Sequence, residues 1–212
     1  MSDFNPAFII LPVVAFIVIT AITTIILEKK RKEALAQVAG SMGFMYSEKA
    51  PEDFLKKLQK DFKFLRKRSS KIFNFIEGRQ RGIKWKIFDF RYTTSSGKSS
   101  NTHNQTIALA ITEKEYLPIS IHPRTFGLAF VVSGNEVKFE EGEFSKKYIV
   151  FGDIQAKSVL TAEFRNQLAN EEKKYSIEIL GNKVAFYRKN RRIKPANFTE
   201  YYQMLTRFVS ML

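Results

Sequence analysis

The longest uninterrupted run of apolar residues lies close to the N-terminus. Residues 7–27, AFIILPVVAFIVITAITTIIL, contain no charged side chain over 21 positions. At about 1.5 Å of rise per residue, a helix of this length spans roughly 31 Å, which matches a hydrocarbon core of about 30 Å. A buried helix of a soluble protein is the alternative, but such helices rarely stay uncharged for so long. The pattern therefore predicts a transmembrane helix over 7–27 and a short exterior tail over 1–6.

The residues on either side of this run predict its orientation. The preceding stretch holds Asp3 and no Lys or Arg, whereas a cleaved signal peptide begins with a positively charged region. The basic cluster Lys29, Lys30, Arg31 and Lys32 instead follows the run. Because Lys and Arg favour the cytoplasmic side, we expect the N-terminus outside and the C-terminal domain in the cytoplasm.

Helical spacing continues beyond the apolar run. It predicts a juxtamembrane helix over 28–45 that ends near Gly43 and carries Ala34, Leu35, Val38, Ala39 and Met42 on its apolar face. A second helix is expected over 51–65, opened by Pro51. Further helices are expected over 159–168 and after Pro195.

Period-two patterns and turn residues predict the strands. The segments 72–76 and 83–92 form a hairpin around the glycine-bounded turn 78–82, and a second hairpin is expected around Gly181-Asn182, between 177–180 and 184–187. Strands are also expected at 106–111, 117–121 and 148–151. The stretch 126–142 is ambiguous, with a turn over 131–135 and a short strand over 137–139.

These elements predict the fold class. Helices that alternate with hairpins favour an α+β domain of antiparallel sheet with packed helices, occupying 46–212 as a single unit. The order of a helix (51–65) and a hairpin (72–92), followed by a helix (155–170) and a hairpin (176–188), suggests a helix–hairpin pseudo-repeat.

Composition narrows the chemistry. The chain has no Cys, which excludes disulfides, thiolate metal sites and a Cys nucleophile. Its two histidines, His103 and His122, do not form an HExxH pattern, and we predict neither a metal nor a cofactor. We interpret His122, at a strand end, as structural. Asp89 lies inside an aromatic strand and is expected to pair with Arg91 or to cap the adjoining turn.

Charge raises the question of partners. The formal net charge is +14, which attracts nucleic acid or an anionic membrane surface. Anionic lipid head groups are candidate partners of Lys29, Lys30, Arg31 and Lys32, although the cluster also serves as a topology signal. The densest basic region, 56–86, is a solvated helix face, a leaflet contact or a nucleic-acid contact. The sequence lacks a helix-turn-helix, RNP or zinc pattern, so nucleic acid is the less favoured partner.

The polar segment 93–106 contains SSGKSS and is the candidate binding site. It is not a Walker A loop, because Tyr92 stands where the first glycine belongs and a strand follows instead of a helix. We expect a long hairpin loop that binds an anion or a peptide, or whose side chains satisfy one another. The G-x-S-x-G elbow of hydrolases is absent. The candidate binding residues are Ser96, Gly97, Lys98, Ser99, Thr102, His103 and Gln105.

The stretch FDFRYTTSSGKSSNTHNQTIAL, residues 88–109, resembles the signature of a bacterial family of small single-pass membrane proteins of unknown function. Its members commonly have FDYRYTTGSGKS and then TH-x-QT; here Phe90 replaces Tyr and Ser95 replaces Gly. Residues 34–44, 144–148 and 187–195 resemble its AL…LGF, FS-x-x-Y and YR…KP segments. The resemblance covers most of the chain after the apolar run and implies no activity.

Together with the topology, this resemblance implies a bacterial inner (cytoplasmic) membrane protein. The sequence therefore predicts an interaction or scaffold domain at that membrane, with an unidentified protein partner. The alternatives are a membrane-tethered enzyme that uses 93–106 with His103 and Lys98, and membrane-tethered nucleic-acid binding.

Overall fold

The computed structural model describes residues 7–97, 99–124 and 135–212. Helix α1, Ala7–Ser41, is continuous over 35 residues. Within it, residues 12–41 contain a window long and apolar enough to cross a membrane, with a mean hydropathy of 1.9 and no part of the window buried. Thr20, Thr23 and Thr24 donate their hydroxyls to carbonyls one turn back, so the polar groups of this apolar segment are satisfied within the helix.

The C-terminal part of α1 belongs to the core of the domain. Leu35 and Ala39 are 2% and 0% exposed, so this end of the helix is not a solvated connector. The helix ends with Gly43 at φ +71°, and the amide of Phe44 donates to the carbonyl of Ala39 at 2.8 Å. A left-handed glycine is a common helix terminator, and the predicted end near Gly43 is confirmed.

Six antiparallel strands form one sheet. They are β1 (Met45–Ser47), β2 (Lys71–Gln80), β3 (Ile83–Ser96), β4 (Ser99–Pro123), β5 (Tyr148–Gly152) and β6 (Ser176–Tyr187). β1 pairs with β2, β2 with β3, and β3 with the first part of β4. The later part of β4 pairs with β5, and the opposite edge of β4 pairs with β6. With the helices packed on it, the sheet confirms the predicted α+β class.

The remaining helices are α2 (Phe54–Asp61), α3 (Glu143–Lys147), α4 (Ala156–Val159), α5 (Ala162–Asn170) and α6 (Phe198–Ser210), with 3-10 turns at Lys63–Leu65 and Pro195–Asn197. Two apolar clusters result. The larger contains α1, α5 and α6 side chains with Trp85, and the smaller contains α2 side chains with Phe75 and Phe88. The helices predicted over 51–65 and 159–168 are shorter or interrupted in the structure. Thr161 caps α5 by accepting from the amide of Phe164.

The predicted hairpin around Gly181-Asn182 is wrong. Residues on both sides of the glycine pair with the same neighbour, Ile111 with Lys183 and Ile119 with Ile179, so β6 is one strand. Gly181 has φ +57° and sits at a register shift, because a left-handed glycine accommodates a bulge as well as a turn. The second unit of the suggested pseudo-repeat is therefore not a helix followed by a hairpin.

Two other expectations change in the same region. The strands expected at 106–111 and 117–121 are parts of β4, joined through an irregular stretch. The turn expected over 131–135 falls mostly outside the described residues. Residues 137–139 do not form a full strand. The amide of Val137 donates to the carbonyl of Val150 at 2.9 Å, and the preceding residue Glu136 forms an isolated bridge with Phe151.

The hairpin between β2 and β3 is confirmed, with a tighter turn than expected. Arg81 and Gly82 have φ of 52° and 78°, so they alone form the turn, and Gly78 lies within β2. A glycine is needed there for a different reason. The ring of Phe44 packs directly over its backbone.

Gly78→Ala should destabilise the domain, because a Cβ at Gly78 would lie 2.2 Å from Cδ1 of Phe44. The ring is itself buried and packs edge-on against Tyr202, so it cannot move aside freely. We expect the free energy of unfolding to fall by about 1–3 kcal/mol, as for other overpacked cores. Denaturant titration of the full chain in detergent, followed by the fluorescence of the buried Trp85, measures this loss.

Gly40→Ala is the matched control. A Cβ at Gly40 meets nothing within 4 Å, and the position lies in α1. Alanine is favoured over glycine in a helix by about 1 kcal/mol, so this variant should be as stable as the wild type or more so. Equal losses in the two variants would show that the Phe44 contact is not why residue 78 is glycine.

Candidate functional site

A buried polar cluster surrounds the carboxylate of Asp89, which lies on β3 and is 1% exposed. Arg31 of α1 donates to it twice, from Nε to Oδ2 at 2.9 Å and from Nη2 to Oδ1 at 3.0 Å. Asn74 of β2 donates to Oδ2 at 2.9 Å, and the hydroxyl of Thr106 on β4 donates to Oδ1 at 2.7 Å. Four donors and one opposite charge compensate for the loss of water around this carboxylate.

The same cluster binds the loop between β6 and the final helix. The third guanidinium nitrogen of Arg31, Nη1, donates to the carbonyl of Ile193 at 2.8 Å. The amide of Ile193 in turn donates to the hydroxyl of Thr106 at 3.0 Å. Arg31 therefore ties the helix both to the sheet and to the loop 188–194.

Two further ion pairs flank the cluster along α1. Lys32 Nζ lies 2.6 Å from Oε2 of Glu48, just after β1. Arg192 Nη1 lies 2.7 Å from Oε1 of Glu28, the first residue after the apolar run. Together with Arg31, these contacts bind one short stretch of the helix, residues 28–32, to the domain.

Local geometry places Asn74 in the cluster. Asn74 has φ +51° at a register shift in β2, a conformation that asparagine tolerates better than most residues. Its amide oxygen accepts from the hydroxyl of Tyr46 at 2.9 Å. Burial is the main cause that raises the pKa of Tyr46 to about 12, so this phenol remains a donor at physiological pH.

The expectation that Asp89 pairs with Arg91 is wrong. Arg91 instead donates from Nε to Asn104 at 2.8 Å and packs over the ring of Phe73. The partner, Arg31, is 58 residues away in the chain. One signal pointed to it: Arg31 is spaced four residues from Leu35, and so lies on the apolar face of the helix.

The four residues expected at the membrane surface have different roles. Arg31 is bound inside the domain and its side chain is 11% exposed, so it does not face lipid. Lys32 is occupied by Glu48. Lys29 and Lys30 are exposed, with no ion-pair partner among the described residues.

The segment 93–106 is not a loop. β3 and β4 continue pairing to Ser96 opposite Ser99, leaving a short turn in which Gly97 has φ +58° and Lys98 lies outside the described residues. Threonine residues and polar side-chain pairs across the strands favour a strand even where neither face is buried. A polar sequence pattern does not reveal such a strand. We call the pairs from Tyr92–His103 to Ser96–Ser99 the ribbon.

Several candidate residues of this segment contact one another or the domain. His103 stacks on Tyr92 with ring centres 4.8 Å apart, and its Nε2 lies 2.8 Å from the hydroxyl of Thr94. Gln105 is buried, and its Oε1 accepts from the amide of Asn190 at 3.4 Å. Thr102 is exposed and lies opposite Thr93.

The direction of β3 relative to α1 follows from two contacts. Near the end of α1, Phe44 packs on Gly78, which pairs with Trp85. Earlier in the helix, Arg31 binds Asp89. β3 therefore runs antiparallel to α1, and its residues beyond Asp89 extend toward the apolar part of the helix.

The ribbon lies on the side of Asp89 that faces the apolar run. From Asp89 to Ser96 a strand is about 23 Å long, whereas α1 advances only about 6 Å from Arg31 to Leu27. The ribbon is therefore long enough to reach the level at which the apolar run ends.

A second buried polar group lies on the other half of the sheet. Glu178 of β6 accepts from the hydroxyl of Ser120 at 2.5 Å, and its Oε1 lies 3.3 Å from Nε2 of His122. Burial raises the pKa of Glu178 to about 7 and lowers that of His122 to about 4. Ser120 bonds to the carboxylate and not to the imidazole, so the group lacks the nucleophile–base contact of a hydrolase.

Other sites offer less. Among the residues that the structure describes, no three His, Asp or Glu side chains gather to bind a metal. An open surface groove of about 590 Å³ lies between the end of α1, the β2–β3 turn and α6, with Arg81 and Arg207 at its edges. The groove lies at the end of α1 that is far from Arg31 and from the Asp89 cluster.

Arg31→Met should lower the free energy of unfolding by about 3–5 kcal/mol, because it leaves a buried carboxylate without its cation. Asp89→Asn should be similarly damaging, since Arg31 loses its charge partner. The double variant R31M/D89N should lose less than the sum of the single losses, because neither charge remains. Trp85 fluorescence during denaturant titration of the full chain gives all three values.

Lys32→Met serves as the control for removing a basic residue from the same turn. Its pair with Glu48 is exposed, with side chains 38% and 62% accessible, so the loss should stay below about 1 kcal/mol. Strictly additive losses in R31M/D89N would contradict the coupling of Arg31 to Asp89.

Glu178→Gln should change how stability depends on pH. The wild-type carboxyl keeps in the folded state a proton that its ordinary pKa of 4.5 would release, so its contribution to stability falls as pH rises from 4.5 to about 7. The amide does not titrate, so the variant should gain stability relative to the wild type over that window. His122 is a constant background, since its pKa of about 4 keeps it neutral in both proteins.

Unfolding midpoints of the full chain at about pH 5 and pH 8 measure this difference. Glu163→Gln, at an exposed helical position, controls for the loss of a carboxylate. A Glu178→Gln effect that is the same at both pH values would contradict a buried, proton-retaining Glu178.

No protein-family model matches the chain, and no curated protein matches it significantly. Among solved structures, the crystal structure of the mycobacterial trehalose monomycolate transport factor A, TtfA, is similar to it. The TM-score is 0.60 over 85% of this chain and 93% of that chain, at 13% sequence identity. At this identity the likeness concerns the fold: an α+β domain of antiparallel sheet with packed helices.

Proposed function

We propose that this chain is a single-pass protein of the bacterial inner membrane, whose α+β domain lies in the cytoplasm and acts as a scaffold for a protein partner in the same membrane. It would belong to the bacterial family whose motifs residues 88–109 resemble. Its role is binding and presentation, without chemistry of its own.

The observation that carries this proposal is the unbroken entry of α1 into the domain core. Leu35 and Ala39 are buried there, and Arg31 is bonded to Asp89 and to the loop 188–194. A domain attached in this way keeps one height and one orientation relative to the apolar run. Such preorganisation favours a scaffold, because less orientational freedom is lost when a partner binds.

The ribbon supports a protein as the partner. In the part of the chain that the structure describes, the pairing of β2 with β3 ends at Arg91, and the pairing of β6 with β4 begins at Ile107. Among the described residues, 92–95 and 100–103 therefore belong to strands that each have a backbone edge with no third strand paired to it. Free edges accept an added strand from another protein, with backbone hydrogen bonds giving affinity.

The position of the ribbon supports a partner in the same membrane. The ribbon extends from Asp89 toward the side of the domain that faces the apolar run, where a neighbouring membrane protein would expose its cytoplasmic loops. The fold neighbour TtfA is named as a transport factor, which makes a membrane transport assembly a candidate partner.

Photocrosslinking in cells tests this proposal. A photoreactive amino acid is placed at the exposed ribbon position Ser95 or Ser100 of the full chain, and a fluorescent protein is fused after Leu212. The fused protein should fluoresce, because its C-terminus lies in the cytoplasm. The photoreactive amino acid should crosslink to one membrane protein. The same amino acid at exposed Lys157, on α4, is the control and should not give that crosslink. Substitution of both Lys98 and His103 by Ala should preserve the crosslink, because backbone edges carry the contact.

Two results would contradict the proposal. An active alkaline phosphatase fused after Leu212 would place the domain outside the cytoplasm. A crosslink obtained equally from Ser100 and Lys157, or from neither, would remove the ribbon as the partner contact.

A further inference from the structure

The loop 188–194, RKNRRIK, is held next to the point where α1 enters the domain. Arg31 donates to the carbonyl of Ile193 at 2.8 Å, and the carbonyl of Arg191 accepts from the amide of Thr106 at 3.1 Å. The amide of Asn190 donates to Gln105. The backbone of the loop 188–194 is therefore fixed at the end of the domain that faces the apolar run.

Three charged side chains of this loop are exposed. They are Lys189, Arg191 and Lys194, and the described part of the chain gives none of them a carboxylate partner. Arg192 is paired with Glu28, and Arg188 packs over the ring of Tyr175. Because Glu28 directly follows Leu27, this pair places the loop at the level where the apolar run ends.

Two other segments bring cations to the same end. Lys29 and Lys30 are exposed on α1 beside Glu28. Lys71, also exposed, pairs across the sheet with Arg91, which lies beyond Asp89 on the side of the ribbon. Three segments far apart in the chain thus place unpaired cations around the exit of one apolar helix.

The carboxylates at this end do not neutralise these cations. Glu28 is paired with Arg192, Glu48 with Lys32 and Asp89 with Arg31. Glu33 is exposed, one turn of the helix further from the apolar run. Glu200 is also exposed, in the first turn of α6 beyond the loop. Among the described residues, the surface around the helix exit therefore carries more cations than unpaired carboxylates.

We propose that this cationic rim, consisting of Lys29, Lys30, Lys71, Lys189, Arg191 and Lys194, binds the anionic head groups of the leaflet from which α1 emerges. The inference rests on the proposed membrane anchor and adds the lipid class that the domain recognises. Lys and Arg held at a membrane surface attract anionic lipid, and the helix holds the rim there permanently. A nucleic acid duplex fits this surface poorly, because the membrane would occupy the space in front of it.

Lipid enrichment around the full chain tests the proposal. Protein purified in micelles that contain equal amounts of phosphatidylglycerol and phosphatidylcholine should retain phosphatidylglycerol at least about five-fold over phosphatidylcholine, the factor expected from one surface cation. The variant K189E/R191E/K194E should bring that ratio close to one. Mass spectrometry of the retained lipids gives the ratio, and Trp85 fluorescence verifies the fold.

The control, R79E/R81E/R207E, makes the same charge change at the opposite end of the domain. These three arginines are exposed and lie at the end of β2, in the β2–β3 turn and in α6. Arg81 and Arg207 line the groove beside the end of α1 that is far from Arg31. The control should keep the wild-type enrichment.

Each outcome decides. Loss of enrichment only in the loop variant supports the rim. Equal loss in both variants reduces the effect to net charge and overturns the proposal, as does enrichment that the loop variant retains. Failure of the proposed topology is separate, because an active phosphatase fusion reports it while the lipid ratio of the purified protein is unaffected.

Discussion

The fold depends on burying one charge pair, Arg31 with Asp89. A carboxylate that is 1% exposed is tolerated only because a bidentate guanidinium and two neutral donors surround it. The pair also selects how the helix docks, since Arg31, Leu35 and Ala39 recur every fourth residue and must face the sheet together. Apolar packing alone would allow α1 to slide or rotate on the sheet. The bidentate bond from Arg31 to Asp89 fixes one position of the helix on the sheet.

Because Arg31 also binds the carbonyl of Ile193, the pair organises more than the helix. Thr106 bonds to both Asp89 and Ile193, so the centre of the sheet and the chain leading to α6 meet at the same point. The surface around the helix exit is built from segments that this network holds. An interior feature therefore determines which cations lie beside the apolar run.

The sequence predicted what depends on local pattern. The apolar run, the helix end at Gly43, the β2–β3 hairpin and the α+β class all follow from periodicity and from glycine or proline at element ends. Gly181-Asn182 misled the prediction, because a turn and a bulge use the same left-handed glycine, and only the pairing partner β4 distinguishes them. The ribbon was taken for a loop because strands with two polar faces lack hydrophobic alternation.

The candidate site was predictable only in part. The polar residues near Gly97 could be singled out as a group, but their strand pairing could not. The partner of Asp89 and the position of the loop 188–194 arise from contacts between residues 58 and more apart, for which the sequence offers only the helical spacing of Arg31.

The continuity of α1 has a consequence for how the length of the chain can vary. Each residue in a helix adds about 100° of rotation and 1.5 Å of rise. Because α1 is continuous from the apolar run to Arg31, one added or removed residue there would turn the apolar run to a different azimuth relative to an unchanged domain. If the run spans the membrane as proposed, a neighbour in the bilayer that contacts both parts would then meet one of them from the wrong side. This stretch should therefore tolerate substitution far better than a change of length.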